Sequence, residues 1–174
     1  FHGAPVAIAA DLLAIAVTHL ATISERRADR LLDSKVSGLP PFLTEHSGLH
    51  SGLMMAQVTA AALASELKSL AHPMSVDTIP TSAGKEDHVS MSMGAALKAA
   101  RAAEMAQQVV AIELLCASQG IDLLRPLTSS PALEQVHATI RAGVPRLADD
   151  RAPAPDIARL ASYISDGSVI PVAV

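Results

Sequence analysis

Long, almost uncharged runs of small apolar residues are the feature that most limits what this chain can fold into. They lie at about residues 4–23, 51–65 and 105–121, and none has the alternation typical of a strand. Aromatic side chains cannot fill the core, because the chain has one Tyr, two Phe and no Trp. Alanine and leucine packed at short helix–helix distances are the alternative. The sequence therefore predicts an all-α fold built as a long-helix bundle.

Proline, glycine and capping residues divide the chain into five predicted helices. Pro5 suits the first turn of the first helix, and Ser130-Pro131 suits the start of the fourth. The predicted helices are three long ones at about 4–32, 51–71 and 87–119, and two shorter ones at about 131–143 and 155–166. We treat residues 1–174 as a single segment.

The uncharged runs raise the question of a membrane span. The first contains Asp11 and His19, and the second is shorter than the ~20 apolar residues that a span needs. Buried helices of a soluble bundle fit both runs better. Helices that are apolar on all sides need more chain to cover them, so we expect an oligomer. Because the opening "FHGAPVAIAADLLAIAV" runs straight into a helix, we also expect a segment of a longer protein.

Charge and composition argue against several partners and cofactors. A net charge of -4 gives no reason to expect nucleic acid or an anionic membrane. The single cysteine, Cys116, excludes an internal disulfide and favours a reducing compartment; we expect a buried, inert thiol. His46 and His50 have the spacing of a helical zinc site. Gly48 lies between them and no third ligand is near, so we expect no metal.

One stretch, "DTIPTSAGKEDHVSM", interrupts the apolar pattern with four consecutive titratable residues, Lys85 to His88. Asp87 has the position of a helix cap for the third long helix. Glu86 follows a run of small residues that would leave room for a ligand. A carboxylate there suits proton transfer, or a hydrogen bond from a cationic or N–H-bearing substrate. The residues alone leave open a solvated helix cap and a ligand site.

Several separate motifs, in matching order and spacing, resemble one known family. The longest runs from "SGLPPFLTEHSGLHSG" through "LMMAQVTAAALASELKSLAHP" to "DTIPTSAGKEDHVSM". The opening "FHG" and "AAD", with "SERR", "AIELLCASQGID" and "RAPAPDI", extend the likeness over almost the whole chain. The sequence thus resembles the aromatic amino acid ammonia-lyase and aminomutase family, and within it the histidine-specific ammonia-lyases.

The resemblance implies a carbon–nitrogen lyase of histidine catabolism that converts L-histidine to urocanate and ammonia. The family uses an electrophilic methylidene-imidazolone formed from an Ala-Ser-Gly tripeptide, and this tripeptide does not occur in the 174 residues. The resemblance further implies a C-terminal segment, inactive alone, of a cytoplasmic homotetramer whose central bundle contains these long helices.

The resemblance also assigns roles to individual residues. Phe1 matches the phenylalanine that lines the substrate-ring pocket, and Glu86 matches the carboxylate that histidine-specific members place near the substrate imidazole. Glu86 is therefore expected to be both catalytic and substrate-binding, with His88 and Asp87 in support. Many bacterial members read "SANQEDHVSM", so Gly84 and Lys85 replace an Asn and a Gln here. That departure puts any contact of the missing amide in doubt.

Three other interpretations remain open. A sister activity of the family, such as an aminomutase or a tyrosine-specific lyase, would share most of these motifs. A non-catalytic helical oligomerisation module would need only the bundle. The fumarase and aspartase superfamily also forms long-helix tetramers, but "TSAGK" matches its flexible loop poorly.

Overall fold

The computed structural model describes residues 2–170, and every regular element in that range is a helix. This confirms the all-α prediction. The helices are α1 (Ala4–Leu32), α2 (Ser34–Ser37), α3 (Met54–Leu70), α4 (Ser92–Leu123), α5 (Pro131–Gly143) and α6 (Ala154–Ser165). Single 3₁₀ turns lie at Pro41–Leu43 and Ser82–Gly84. The chain divides into two compact units, and α1, α3 and α4 contribute residues to both.

The first unit contains the chain up to Thr22 together with Leu63–Ala106, and its core is made mainly of alanine. Ala7, Ala14 and Ala21 are fully buried at a spacing of seven residues, or two helical turns, on α1. The other buried apolar residues of this unit are Ala64, Leu67, Ala95, Ala99, Ala102, Met105 and Ala106. Small side chains on these faces let helix backbones approach closely, which compensates for the scarcity of aromatic residues.

The second unit contains Ile23–Ala62 and the chain from Gln107 onward, and its core uses larger side chains. Its fully buried members include Leu43, Val109, Ile112, Ile140 and Leu160. Cys116 is also fully buried. Burial, and secondarily the charge of Glu113, raise the pKa of its thiol to about 12. The predicted burial of this thiol is confirmed.

α3 begins three residues later than its sequence pattern suggests. The pattern places its start at 51, whereas the helix begins at Met54. The Asp150 carboxylate accepts hydrogen bonds from the N–H groups of Ser51 (2.7 Å) and Gly52 (2.9 Å). Gly52 has φ +56°, outside the right-handed helical region. These contacts keep residues 51 and 52 in a turn before the helix.

α4 extends beyond its predicted end. The helix continues to Leu123, four residues past 119, and passes through Gly120. It ends just before Arg125-Pro126, where the proline ring disfavours helical geometry in the preceding residue. The proline therefore ends this helix, and Gly120 does not.

Within residues 2–170, α1 is the one helix long and apolar enough to cross a membrane by length and composition. That is weak evidence for a span, because buried helices of soluble proteins pass the same test. α1 also contains the buried, ionisable Asp11.

Candidate active site

The stretch with four consecutive titratable residues is a loop that precedes a helix. α4 begins at Ser92, so the prediction that a helix starts near 87 with Asp87 as its cap is wrong. Glu86 lies six residues before that start, beyond the first turn within which a helix dipole acts on a carboxylate. We call residues 77–91 the Glu86 loop.

Two threonines hold residues 86 and 89 in the loop, and Met91, whose φ of 54° is outside the right-handed helical region, directly precedes α4. The Thr78 hydroxyl accepts a hydrogen bond from the Val89 N–H at 2.8 Å. Thr81 and Glu86 exchange backbone hydrogen bonds in both directions, with N···O distances of 2.9 and 3.3 Å. The backbone groups on both sides of the titratable run are thus engaged across the loop. The sequence analysis did not assign these threonines a role, although two hydroxyl residues around a proline were a turn signal.

Three consecutive residues in left-handed conformation close the loop. Ser82, Ala83 and Gly84 have φ values of 53°, 55° and 81°. This conformation costs a non-glycine residue roughly 1–2 kcal/mol. Gly84 fits it, and asparagine is one of the few other residues that adopts it readily. The replacement of the usual Asn by Gly84 therefore preserves the loop backbone, whereas nothing in the structure explains the exposed Lys85.

The "FHG" and "EDH" motifs meet at the start of α4. The rings of His2 and His88 lie 5.3 Å apart between centroids, at an interplanar angle of 47°. A Cβ on Gly3 would lie 2.6 Å from Ser92 Cβ, so only glycine permits this approach. His88 is therefore a loop residue in contact with the first motif. Phe1 lies outside the described residues.

The Glu86 side chain is exposed, and within residues 2–170 its carboxylate makes no hydrogen bond or ion pair. Its backbone, in contrast, is fixed by the pairing with Thr81. A cavity of about 300 Å³ lies at the C-terminal end of the loop, lined by Val89, Ser90, Met91, Ser92, Met93 and Gly94. The arrangement offers a negative charge on a held backbone, available to a cationic or N–H-bearing ligand.

No group of three or more His, Cys, Asp or Glu side chains in the described part of the chain is placed to hold a metal ion. His46 and His50 do lie together, with ring centroids 5.6 Å apart in an edge-on arrangement. Oδ1 of Asp149 lies 3.8 Å from His50 Nε2.

Comparison with known proteins gives one consistent family. Residues 1–142 match the model of the aromatic amino acid lyases. A histidine ammonia-lyase of Anaeromyxobacter sp. (strain K) is 53% identical over 97% of this chain. The crystal structure of histidine ammonia-lyase from Trypanosoma cruzi superposes with a TM-score of 0.95 at 47% identity over 97% of this chain. A tyrosine aminomutase from Streptomyces globisporus gives a TM-score of 0.93 at 36% identity over 98% of this chain.

The matched region is a part of each relative. The chain spans 33% of the length of each of these three proteins. The similarity nevertheless covers nearly all of this chain and includes both motifs that meet at the start of α4. The chain belongs to the aromatic amino acid lyase family.

Proposed function

We propose that the intact protein, of which these residues form a part, is a histidine ammonia-lyase. It would eliminate ammonia from L-histidine to give urocanate, as a carbon–nitrogen lyase of histidine catabolism. Family membership supports the reaction class. The choice of histidine is supported by the names of relatives 52% and 53% identical to this chain.

The observation that carries the proposal in this chain is the state of Glu86. Its carboxylate is exposed and has no partner within residues 2–170, while its backbone is fixed to Thr81. An unpaired carboxylate on a fixed backbone can accept a hydrogen bond from an imidazole N–H or pair with an imidazolium. A phenyl ring offers no such donor, whereas a phenol has its hydroxyl. Glu86 therefore favours histidine over phenylalanine, and product analysis must separate histidine from tyrosine.

The same carboxylate could move a proton. The β-proton removed in an ammonia elimination is weakly acidic, so a base must be held close to the substrate. Glu86 would hold the imidazole ring of the substrate, with the proton on its nitrogen, at a fixed position relative to the α-amino and carboxylate groups. Phe1 would line the ring pocket, and His88 and Asp87 would support the loop.

The methylidene-imidazolone expected in this family would supply the electrophile that makes the amino group a better leaving group. Its Ala-Ser-Gly precursor does not occur in the 174 residues, so these residues would not form it. The chemistry of the residues fits the group, because Glu86 offers a free carboxylate to the substrate ring. The one thiol, Cys116, is buried and so cannot compete for an electrophile.

Replacing Glu86 by Gln in the intact protein tests the proposal. The amide keeps the size of the side chain and removes its charge. We expect kcat/KM for histidine, followed by urocanate absorbance, to fall about 10²-fold or more, the usual effect of a positioned acid–base group. Asp77→Asn is the matched control, because Asp77 is an exposed carboxylate of the same loop with no assigned role. Equal activity of Glu86→Gln and Asp77→Asn would contradict the role of Glu86.

A second candidate, an aminomutase, has a specific observation in its favour. Tyrosine aminomutase structures match 98% of this chain with TM-scores of 0.93. Product analysis separates the two, because a lyase releases ammonia and an unsaturated acid, whereas an aminomutase returns a β-amino acid. We expect ammonia and urocanate from histidine, with no β-amino acid from tyrosine.

A homotetramer in the cytoplasm completes the proposal. Six large apolar side chains of α1 are at least half exposed, which favours burial against other subunits. They are Val6, Ile8, Leu12, Leu13, Leu20 and Ile23. The reduced, buried Cys116 is compatible with a cytoplasmic enzyme.

A further inference from the structure

Asp11 is a buried charged residue of α1 that has no role in the proposed reaction. Asp11 is the only Asp, Glu, Lys or Arg between Ala4 and Ser24, and its side chain is 5% exposed. Its Oδ1 lies 2.8 Å from Nζ of Lys98 on α4, whose side chain is 11% exposed. Both members of this pair belong to the first unit.

Both members of the pair also bind the chain that leads into the Glu86 loop. Asp11 Oδ2 accepts a hydrogen bond from the Ser75 N–H at 2.7 Å. Lys98 Nζ donates to the His72 carbonyl oxygen. The pair thus contacts two backbone groups that lie a few residues before the Glu86 loop begins at 77. Burial alone would raise the pKa of Asp11, but Lys98 and Ser75 outweigh it and hold that pKa far below its usual value.

The segment of residues 72–75 packs closely against α4. Gly94 and Lys98 are four residues apart and so share one face of the helix. A Cβ on Gly94 would lie 2.6 Å from Met74 Cε, so the glycine makes room for this segment. Residues 72, 74 and 75 are therefore held on α4 at Gly94 and Lys98, and on α1 at Asp11.

Stability alone is a weak reason to keep such a pair. Burying two charges costs desolvation energy, and replacing a buried ion pair by apolar residues of similar size is often neutral or stabilising. The buried apolar residues of the first unit are mainly alanine. Apolar residues could not accept the hydrogen bond from the Ser75 N–H, and they could not donate one to the His72 carbonyl oxygen.

We propose that Asp11 and Lys98 are positioning residues that fix the entry to the Glu86 loop, and through it the Glu86 carboxylate. This inference rests on the function proposed above for Glu86. The connection is short: two residues lie between Ser75 and Thr78, whose hydroxyl binds the Val89 N–H, and Thr81 then pairs with Glu86. Displacement of a catalytic group by about 1 Å can cost 10²-fold in rate.

The test is Asp11→Leu combined with Lys98→Met in the intact protein. We expect a thermal midpoint close to that of the wild type, because the loss of two backbone partners offsets the removal of two buried charges, together with a fall in kcat/KM for histidine of about tenfold or more. Amide hydrogen exchange should accelerate about tenfold or more across residues 73–91, while α1 and α4 keep their protection. Wild-type kinetics with wild-type exchange would overturn the proposal. Faster exchange throughout α1 and α4 would also overturn it, since the pair would then only hold the helices together.

The matched control is the ion pair of Glu66 with Arg101, which joins α3 to α4 in the first unit. It is exposed, and within residues 2–170 neither side chain has a hydrogen bond or ion pair with the 72–75 segment. Glu66→Gln with Arg101→Met should leave both kcat/KM and the exchange of residues 73–91 unchanged. If the double variant of Asp11 and Lys98 does not fold, Asp11→Ala with Lys98→Met removes the same acceptor and donor with a smaller side chain at position 11. The same comparison of loop and helix exchange then decides the question.

A second comparison separates this inference from the proposed function. Glu86→Gln is introduced into the wild type and into the Asp11→Leu, Lys98→Met protein. If the pair acts through Glu86, replacing Asp11 and Lys98 in the Glu86→Gln protein should lower kcat/KM by less than about threefold. The effects of coupled residues are not additive. A tenfold loss of kcat/KM in the Glu86→Gln protein would show that the pair does not act through Glu86. A Glu86→Gln protein with wild-type activity would refute the role of Glu86, while the exchange data would still test the positioning of the loop.

Discussion

Gln119 is a buried polar residue of the second unit that binds the backbone of other segments. Its amide Nε2 donates to the carbonyl oxygens of Leu43 (3.2 Å) and Leu147 (2.9 Å), and its Oε1 accepts from the Leu147 N–H (3.0 Å). The side chain is fully buried. One residue of α4 thereby satisfies three backbone groups in two separate loops.

Replacing Gln119 by Leu in the intact protein should lower its stability markedly. Three buried backbone groups would lose their partners, at a cost on the order of 3 kcal/mol in total. Gln108→Leu is the control, because Gln108 lies on the same helix with an exposed side chain and should change stability by about 0.5 kcal/mol or less. Calorimetry of the two variants measures the difference. Equal thermal midpoints would show that water or rearrangement satisfies the three groups.

The roles of some individual residues could not be predicted from the sequence. The roles of Asp11 and Gln119 depend on partners far away in the chain, such as Lys98 and Leu43. Neither residue has a neighbour in sequence that reveals those contacts, so the sequence identified Asp11 only as an obstacle to a membrane span. Cys116 was predictable because an apolar surrounding alone determines the state of a thiol.

At the scale of elements, apolar runs identified the helices, while loop contacts set several of their ends. The run of alanines predicts α1 because periodic burial is a local property of the sequence. The start of α4 is not local: Thr78 and Thr81 hold residues 86 and 89 across the loop, and Ser92 becomes the first helical residue. Glu86 could be identified from its motif, but the closed loop that holds it could not.

The junction between the Pro41–Leu43 turn and α3 depends on one glycine. The Leu53 N–H donates to the Phe42 carbonyl oxygen at 3.0 Å, which places this oxygen against Gly52. A Cβ on Gly52, where φ is +56°, would lie 2.4 Å from that oxygen. Because the obstacle is a backbone atom, neither partner can move aside cheaply.

Gly52→Ala and Gly48→Ala form a matched pair that isolates this clash. Both residues have positive φ, but a Cβ on Gly48 would meet nothing within 4 Å. We expect Gly48→Ala to cost about 1 kcal/mol, from backbone strain alone. Gly52→Ala should cost about 3 kcal/mol or more, seen as a lower thermal midpoint or a loss of soluble protein. Similar midpoints for the two variants would contradict the close contact in the structure.

At the scale of the whole molecule, the activity of residues 1–174 can be tested separately from that of the intact protein. The segment supplies long helices and the Glu86 carboxylate, while the Ala-Ser-Gly precursor of the electrophile does not occur in its 174 residues. We therefore predict that residues 1–174 alone form no urocanate from histidine above the blank rate. The intact protein, assayed at the same molar concentration, is the positive control.

A negative result is informative only if the isolated segment is folded. Its helices should give a strong far-ultraviolet circular dichroism signal, and the exposed apolar residues of α1 should drive self-association, measurable by light scattering. A helical, associated and inactive segment is the expected combination, because association needs only apolar surface whereas elimination also needs an electrophile to activate the amino group. Urocanate formation by the segment alone would contradict the prediction, since the groups needed for elimination would then lie within these residues.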